Sequence, residues 1–468
     1  MLKRHLLYIF TTVLFVISSA AVVDAQVDTS GVMGYDDMVQ ALETLEEQGE
    51  GKLDVYTLRE FGIEDGVSEM GRDLYVAEIG NGDKKVWIQG RIHGNEPYGT
   101  NTVIRMIEEL LEEKSEMHQM MMEELTMYFI PMYNPDGAER NQRGTILIDP
   151  ETGEPELDDN GRPISVDLNR DWTENGFRAS ESLGFYKFWT QIKPDLMLDL
   201  HHQGNKYFPE SNIPVTMSLG ISLAPGGPTL PNIKDGEYDV TTRQIMSTVY
   251  DALLPYKEYT VDRYRVGSGG TLEIDIRGGL ASAMMLGLNY QGLNEEGHSH
   301  PAVFLEISGQ FLDGEREPLI EQNMIATRAV LSTFATGEFY NADPDRWYEI
   351  PAPELRGYNT DYTGNITLDE PIPAVLAEVS ASEIHSIVER YEEIGRFSDS
   401  NTAHQLKLHL NALSHYEESG QTDKTAQHID GLNVLLDHHQ NNMTEASYRT
   451  LGAYVDHWVD RLQVPVTQ

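Results

Sequence analysis

Short apolar segments that end at polar side chains constrain the fold of this chain more than any other feature. Four of them are rich in β-branched, aromatic and other large apolar residues: Lys85–Gln89, Met127–Met132, Leu196–Leu200 and Ala302–Ile307. Helical stretches separate them, among them Thr102–Glu113 and Ser182–Ile192. Strands that alternate with helices are typical of an α/β sheet. We therefore expect a mixed sheet flanked by helices.

Two further stretches lack any periodicity. Gly144–Ser165 is rich in glycine, proline and acids, which predicts a surface loop. Gln203–Gly236 is also irregular, and we expect it to form a long loop near the functional site.

The beginning of the chain has the pattern of an export signal. Lys3 and Arg4 precede the apolar run Leu6–Val23, and small residues near Ala25 offer a cleavage site. An uncleaved membrane anchor is the alternative, since the run is nearly long enough to span a bilayer. We expect residues 1–25 to be removed as a signal peptide. The mature protein is then predicted to be secreted or periplasmic, with no membrane contact.

The C-terminal part differs in character from the rest. Residues 26–340 are predicted to form the main domain, and the segment 341–375, rich in prolines and acids, a linker. Across residues 376–465 apolar side chains recur at helical spacing four times, with Ser380 and Glu383 at capping-box spacing. These patterns predict a small all-α four-helix bundle. It resembles the FIMAH-type modules of exported bacterial proteins, and we expect an independent domain that serves as an interaction module.

Composition excludes several classes of function. The formal net charge of −42 argues against binding to nucleic acid or anionic membranes, because both would be repelled. The chain has no cysteine, which excludes disulfides, thiolate metal sites and a lipid anchor on cysteine. Histidines and carboxylates remain as the strong metal ligands.

Three such residues form a candidate zinc site. His93 and Glu96 stand three apart in a glycine-containing turn directly after a predicted strand, and His201 ends another. Two histidines and one glutamate make an open zinc set that leaves one position for water. In open α/β sheets, sites form at the carboxyl ends of strands, where Glu306 also falls.

The motifs in their order resemble the M14 family of metallocarboxypeptidases over roughly residues 50–335. The matching segments are Gln89–Thr100, Asn134–Gly137, Val166–Asp171, Asp199–His201 and Phe304–Glu306. The resemblance implies a carboxypeptidase-like fold, one Zn²⁺ per chain and a peptide substrate. It also implies that Glu306 is the general base that activates the zinc-bound water.

The resemblance assigns roles to other matched positions as well. Asp167 corresponds to the acid that holds the second ring nitrogen of His93. Asn169 and Arg170 correspond to the pair that grips the terminal carboxylate of the substrate. Arg143 corresponds to the arginine that polarises the scissile carbonyl, with Arg140 as the competing candidate.

Two positions depart from the family pattern. His202 stands where many members have a small or hydroxyl residue after the zinc histidine. For the tyrosine that closes over the substrate, Tyr290 is the first choice and Tyr264 the second.

The sequence thus predicts a zinc carboxypeptidase that acts outside the cytoplasm. An amidase or deacylase of cell-wall peptides is the alternative, because the same zinc site cleaves several kinds of amide. A zinc-containing binding protein without turnover is a third hypothesis, disfavoured by the presence of Glu306, Arg143 and Arg170.

Overall fold

The computed structural model describes most of the chain. The described residues are 27–112, 115–208, 213–221, 237–264, 273–274, 279–308, 316–352, 356–359, 366–369, 379–393 and 395–462. The predicted export signal lies outside them. Among the described residues, no helix is both long and apolar enough to cross a membrane.

One eight-stranded mixed sheet forms the frame of the predicted catalytic domain (residues 26–340), in the order β1-β2-β4-β3-β7-β13-β10-β11. The central strands β4, β3, β7 and β13 pair in parallel with one another, and β10 pairs in parallel with β11. The pairs β1–β2, β2–β4 and β10–β13 are antiparallel. In chain order, the strands of this sheet are β1 (Leu53–Thr57), β2 (Tyr75–Ile79), β3 (Lys84–Gly90), β4 (Leu125–Ile130), β7 (Leu196–Gln203), β10 (Met217–Ile221), β11 (Val261–Arg263) and β13 (Ala302–Ser308).

Shorter strands form three small accessory sheets. They are β5 (Thr145–Ile146) with β6 (Ser165–Val166), β8 (Lys206–Tyr207) with β9 (Pro214–Val215), and β12 (Glu273–Ile274) with β14 (Arg356–Asn359) and β15 (Ile366–Asp369).

Helices cover both faces of the main sheet. Those of the catalytic domain are α1 (Tyr35–Gln48), α2 (Tyr98–Glu112), α3 (Glu116–Glu124), α4 (Pro135–Glu139), α5 (Ser180–Ile192), α6 (Glu237–Leu253), α7 (Leu280–Met285) and α8 (Arg316–Thr336). Those of the C-terminal part are α9 (Ala381–Glu393), α10 (Ser400–Glu418), α11 (Thr422–His438) and α12 (Glu445–Leu462).

Strand alternation divides the core into two apolar clusters, one on each face of the sheet. In β3, Val86 and Ile88 belong to the cluster under α1, α2, α6 and α8, whereas Trp87 belongs to the cluster under α5 and α7. Strand β7 divides in the same way, with Leu198 and Leu200 on the first face and Met197 on the second. Because side chains alternate along a strand, His201 projects from the same face as Met197, toward α5 and α7.

The predicted fold class is confirmed. A mixed sheet flanked by helices carries the catalytic domain, and the four helices α9–α12 form the all-α part. The four predicted strands correspond to β3, β4, β7 and β13 with ends shifted by at most two or three residues.

The loop prediction for Gln203–Gly236 is wrong over its described part. This part contains β8, β9 and β10, and β10 is a buried strand of the main sheet. Its five residues include Gly220, which lowers the strand signal. The predicted loop Gly144–Ser165 keeps its irregular character but begins and ends in the paired strands β5 and β6.

The first part of the predicted linker 341–375 packs on the catalytic domain instead. A 3₁₀ helix at Pro344–Glu349 places Trp347 in the cluster under α6 and α8, together with Ile350, and both are buried. Proline and acids made this stretch look solvated, but the aromatic and apolar residues between them supply a buried face. Residues 370–375 lie outside the described part.

The bundle has the apolar pattern predicted for it. Its core contains the apolar faces of the four helices, with Ile384, Leu406, Leu432 and Val455 buried. The predicted capping box is present, since the Glu383 amide donates to Ser380 Oγ at 3.3 Å and the Ser380 amide donates to Glu383 Oε2 at 3.2 Å.

Candidate metal centre

Two neighbouring parallel strands bring the three candidate ligands together. His93 and Glu96 lie in the turn that follows β3, and His201 lies near the end of β7. Strands β3 and β7 pair in parallel with Gly90 opposite Leu200, so the turn after β3 lies beside His201. All three ligand atoms lie within 4.8 Å of one another, and all three residues are buried.

The turn that carries His93 and Glu96 depends on close contact with the start of α4. A Cβ on Gly94 would lie 2.0 Å from the Gly137 carbonyl carbon, a distance that no side chain tolerates. Asn134 accepts a hydrogen bond from the Gly137 amide at 2.7 Å and donates to the Arg143 carbonyl at 3.2 Å. The glycines therefore allow the two motifs to pack backbone against backbone.

The ligand atoms converge on one point. His93 Nδ1 lies 2.8 Å from Glu96 Oε1, His201 Nδ1 lies 3.1 Å from Glu96 Oε2, and the two Nδ1 atoms are 3.2 Å apart. Glu96 Oε2 also accepts the His202 amide at 3.0 Å, which fixes the carboxylate.

The Nε2 atom of each imidazole, on the side of the ring away from the shared point, contacts a carboxylate. His93 Nε2 lies 3.3 Å from Asp167 Oδ1, and His201 Nε2 lies 2.8 Å from Asp199 Oδ2. An N–H on each Nε2 would donate to these acids, which leaves a lone pair on each Nδ1 directed at the shared point.

The pKa shifts at these groups reflect a concentration of negative charge. Burial opposes protonation of His93. The charge of Glu96, and the hydrogen bonds that His93 makes with Glu96 and Asp167, nevertheless raise the pKa of His93 overall. Burial likewise opposes protonation of His201, and the charge of Asp199 raises its pKa well above the ordinary value. Burial favours neutral Glu96, yet the two histidines hold its pKa well below the usual range.

This set of donors fits a zinc ion. Two neutral imidazole nitrogens and a carboxylate are the ligands of open zinc sites, and the carboxylates behind the histidines fix the tautomers that such ligation requires. The buried acids around the point also exceed the nearby cations in number, which a divalent ion would balance.

Glu306 stands beside this group on β13. It pairs across the sheet with His201, so the two side chains project from the same face. It is 7% exposed. Burial raises the pKa of the Glu306 carboxyl, the charge of Glu96 raises it further, and the histidines counteract part of this shift. A carboxyl in this setting holds and releases a proton near neutral pH more readily than an exposed one.

The two candidate arginines occupy different places. Arg143 Nε donates to Asp167 Oδ2 at 2.9 Å, and its Nη1 lies 3.6 Å from Glu96 Oε1, with about half of the side chain exposed. Arg140 instead donates to the carbonyls of Asp136 and Gly144, away from the ligands. Of the two, only Arg143 has contacts that place it at the rim of the ligand group.

Asn169 and Arg170 follow Asp167 in a short 3₁₀ helix at Leu168–Arg170. Asn169 Nδ2 lies 3.4 Å from His201 Nε2, and its Oδ1 accepts the Leu280 amide at 3.0 Å. The guanidinium of Arg170 is exposed and donates to the Asn169 carbonyl at 2.5 Å. This leaves donors of Arg170 available to a ligand at the border of the site.

The structure places the two candidate tyrosines differently from the order in which we predicted them. Tyr264, the second choice, lies close to Glu306, since burial together with the charge of Glu306 raises the pKa of Tyr264 far above the ordinary value. Tyr290, the first choice, packs against Phe177, and the contacts described for it include none with the three ligands. Tyr290 follows α7 in the chain and contacts Tyr186 of α5. Its position in the sequence, shortly before β13, did not reveal this contact.

His202 does not face the ligand group. Its ring contacts Tyr98, and its Nε2 accepts the Tyr98 amide at 3.1 Å at the start of α2. Successive strand residues point to opposite faces, so the departure from the family pattern at this position concerns the packing of α2.

Sequence reasoning gave no role to Asp199 or Phe304. Asp199 supports His201, and its position two residues earlier on one strand was the available signal. The ring of Phe304 lies edge-on to His201 and Tyr264, with centroid distances of 6.3 and 4.9 Å. Gly220 on the adjacent strand leaves room for this ring, since a Cβ there would lie 2.1 Å from it.

Comparison with known proteins adds family matches for two parts of the chain. Residues 61–195 match the zinc carboxypeptidase family, peptidase M14, and residues 381–460 match the FIMAH domain. The human carboxypeptidase N catalytic chain is 30% identical over 115 residues, which cover 22% of this chain and 24% of that protein. A protein of Arthroderma benhamiae named "Probable carboxypeptidase 2" is 24% identical over 131 residues, 28% of this chain and 21% of that protein.

The chain thus spans about a fifth to a quarter of the length of these two curated relatives. Among solved structures, carboxypeptidase A from Helicoverpa armigera is similar with a TM-score of 0.47 and 14% identity, over 68% of this chain and 77% of that one. A metallo-carboxypeptidase from Burkholderia cenocepacia is similar with a TM-score of 0.44 and 14% identity, over 66% of this chain and 70% of that one.

Proposed function

We propose that the protein is a zinc-dependent carboxypeptidase that releases C-terminal residues from peptides, since residues 61–195 match the zinc carboxypeptidase family and residues 381–460 match the FIMAH domain. The observation that carries the proposal is the buried carboxyl of Glu306 next to three convergent metal ligands. A base beside an open metal site is the arrangement that amide hydrolysis requires.

His93, Glu96 and His201 would hold one zinc ion. When bound, such an ion lowers the pKa of water and polarises a carbonyl oxygen. Asp167 and Asp199 keep the two imidazoles in the tautomer that ligation requires. The ligand geometry is therefore fixed by the protein before substrate arrives.

The other residues act on water and substrate. Glu306 takes a proton from the attacking water and later gives a proton to the leaving amine, a role that its buried position beside the ligand group supports. The guanidinium of Arg143 lies at the rim of the ligand group, where it can donate to the carbonyl oxygen as negative charge develops. Asp167 holds Arg143 in this position at 2.9 Å.

Recognition of the substrate terminus falls to Asn169 and Arg170. Charge-assisted hydrogen bonds from a guanidinium select a carboxylate over a neutral amide. Asn169 borders His201, and Arg170 follows it directly, so both stand where the end of a substrate held at the ligands would lie.

A peptide with a free C-terminal carboxylate should be hydrolysed much faster than the same peptide with a C-terminal amide. Loss of a charge pairing of this kind costs about 2–5 kcal/mol, or roughly tens- to thousands-fold in kcat/KM. Arg170→Ala should slow only the free-acid peptide and so remove the preference. Arg162→Ala, which removes an exposed arginine paired with Asp158, is the matched control.

The same experiment separates the two enzyme hypotheses. Hydrolysis of an internal amide bond at equal rates with either terminus would favour an amidase or deacylase. In that case the zinc chemistry would stand and the carboxypeptidase claim would fall.

The proposed site of action is outside the cytoplasm. It is supported by the basic start, apolar run and small residues of the first 25 positions. The exported protein should begin at or near Gln26 when its N-terminus is sequenced. A mature protein that still begins at Met1 would contradict export by signal cleavage.

A further inference from the structure

We propose that the C-terminal bundle is a structural part of the catalytic unit, where it holds the hairpin that continues the His201 strand and thereby positions His201 and Glu306. The inference rests on the proposed function for the roles of these two residues. It differs from the independent interaction module that the sequence pattern suggested.

The first support is a shared apolar core. Phe208, Ile213 and Val215 of the hairpin formed by β8 and β9 belong to the same buried cluster as the bundle helices. They are 2%, 0% and 1% exposed. Apart from these three residues, every member of that cluster belongs to the C-terminal part from Val379 onward, so the bundle supplies the apolar core in which they are buried.

The second support is a set of buried polar contacts between the same two bodies. Arg390 of α9 pairs with Glu258, at 2.8 Å, and with Glu321 of the catalytic domain. Glu258 is 6% exposed, so the removal of its cation would leave a buried carboxylate unpaired. Tyr454 of α12 donates to the Lys257 carbonyl at 3.2 Å. These contacts fix the bundle in one orientation, as a flexible tether would not.

The hairpin is in turn connected to the catalytic strands. Strand β8 begins three residues after the last residue of β7, Gln203. Gln203 Nε2 donates to Ser218 Oγ at 2.6 Å and to the Glu306 carbonyl at 3.1 Å. Lys206 of β8 donates to Ser218 Oγ at 3.2 Å and pairs with buried Asp262 at 2.5 Å.

The end of β13 is also hydrogen-bonded to the segments that flank the hairpin. Ser308 Oγ donates to the Gly204 carbonyl at 3.0 Å, and the Ser308 amide donates to the Thr216 carbonyl at 2.8 Å. A shift of the hairpin would therefore pull on the ends of β7 and β13, two residues beyond His201 and Glu306. Displacements of about 1 Å at reacting groups can cost roughly 10²-fold in rate.

The test compares Arg390→Ala with Lys407→Ala in the full-length protein. Lys407 pairs with Glu392 inside the bundle at 2.5 Å, so its removal takes away a cation without touching the interface. A second variant, Arg390→Met with Glu258→Gln, removes both partners and avoids an unpaired buried carboxylate if Arg390→Ala fails to fold. Hydrogen exchange is measured at the hairpin, at residues 201–203 and at residues 306–308, together with kcat and zinc content.

We expect both interface variants to exchange faster at the hairpin and at the two strand ends, and to lose roughly 10- to 10²-fold in kcat with zinc retained. Lys407→Ala should behave as the wild type. Exchange at the two strand ends equal to that of Lys407→Ala, whatever the hairpin does, would overturn the proposal. Since exchange needs no substrate, a wild type without turnover would count against the proposed function alone.

Discussion

The Glu306→Gln variant should keep its fold and its zinc and lose turnover by roughly 10²- to 10⁴-fold, the usual contribution of a positioned general base. Glutamine has nearly the same shape as glutamate but accepts a proton from water far less readily. The residues that pair with position 306 on β7 and β10 are His201 and Ser218, and both stay unchanged, so the strand pairing is preserved. The measurement is kcat at saturating substrate, with zinc content determined on the same samples.

The control is Glu317→Gln at the start of α8, where the exposed carboxylate pairs with the partly exposed Arg105 and Arg316. Equal hydrolysis by wild type and Glu306→Gln would show that Glu306 is not the base. A variant that loses its zinc would point instead to a role in metal binding.

Removal of the metal should have an equally large effect. The purified protein is expected to hold about one zinc per chain, and a chelator should bring hydrolysis to background. Zinc added back should restore it. His201→Ala removes one of three ligands and leaves Asp199 without its partner, so this variant should hold little zinc and show no turnover.

His118→Ala is the matched control for His201→Ala. His118 is also buried and also pairs with an acid, Glu109, but it lies in α3, outside the group of convergent ligands. It should therefore keep its zinc and its activity. Hydrolysis by the wild type that survives complete removal of zinc would contradict a metal-dependent mechanism.

The strands and the ligand residues were open to prediction from sequence because local signals coincide there. Val86 and Ile88 of β3 are apolar over a short run, and polar ligands follow directly where the strand ends. The parallel pairing of β3 with β7 places His93 beside His201. The α/β pattern alone indicated that both residues lie at the carboxyl ends of strands, where sites form.

Other features depend on contacts between distant segments and had no local signal. Strand β10 is short and contains Gly220, whose role is to admit the Phe304 ring of the neighbouring strand. The sequence around Trp347 predicted a solvated linker, whereas the structure buries Trp347 in an apolar cluster formed by distant segments. The contact of Tyr264 with Glu306 joins residues 42 positions apart. The docking of the bundle likewise joins Arg390 to Glu258 across 132 positions.

The most direct test of the central claim is the mass of the products released from a peptide with a free C-terminus. The zinc-loaded wild type should shorten such a peptide from its C-terminal end, one residue at a time, while Glu306→Gln leaves it intact. The mass ladder should disappear when the same peptide carries a C-terminal amide. Internal fragments, or a ladder that is equal for the acid and the amide, would contradict a carboxypeptidase.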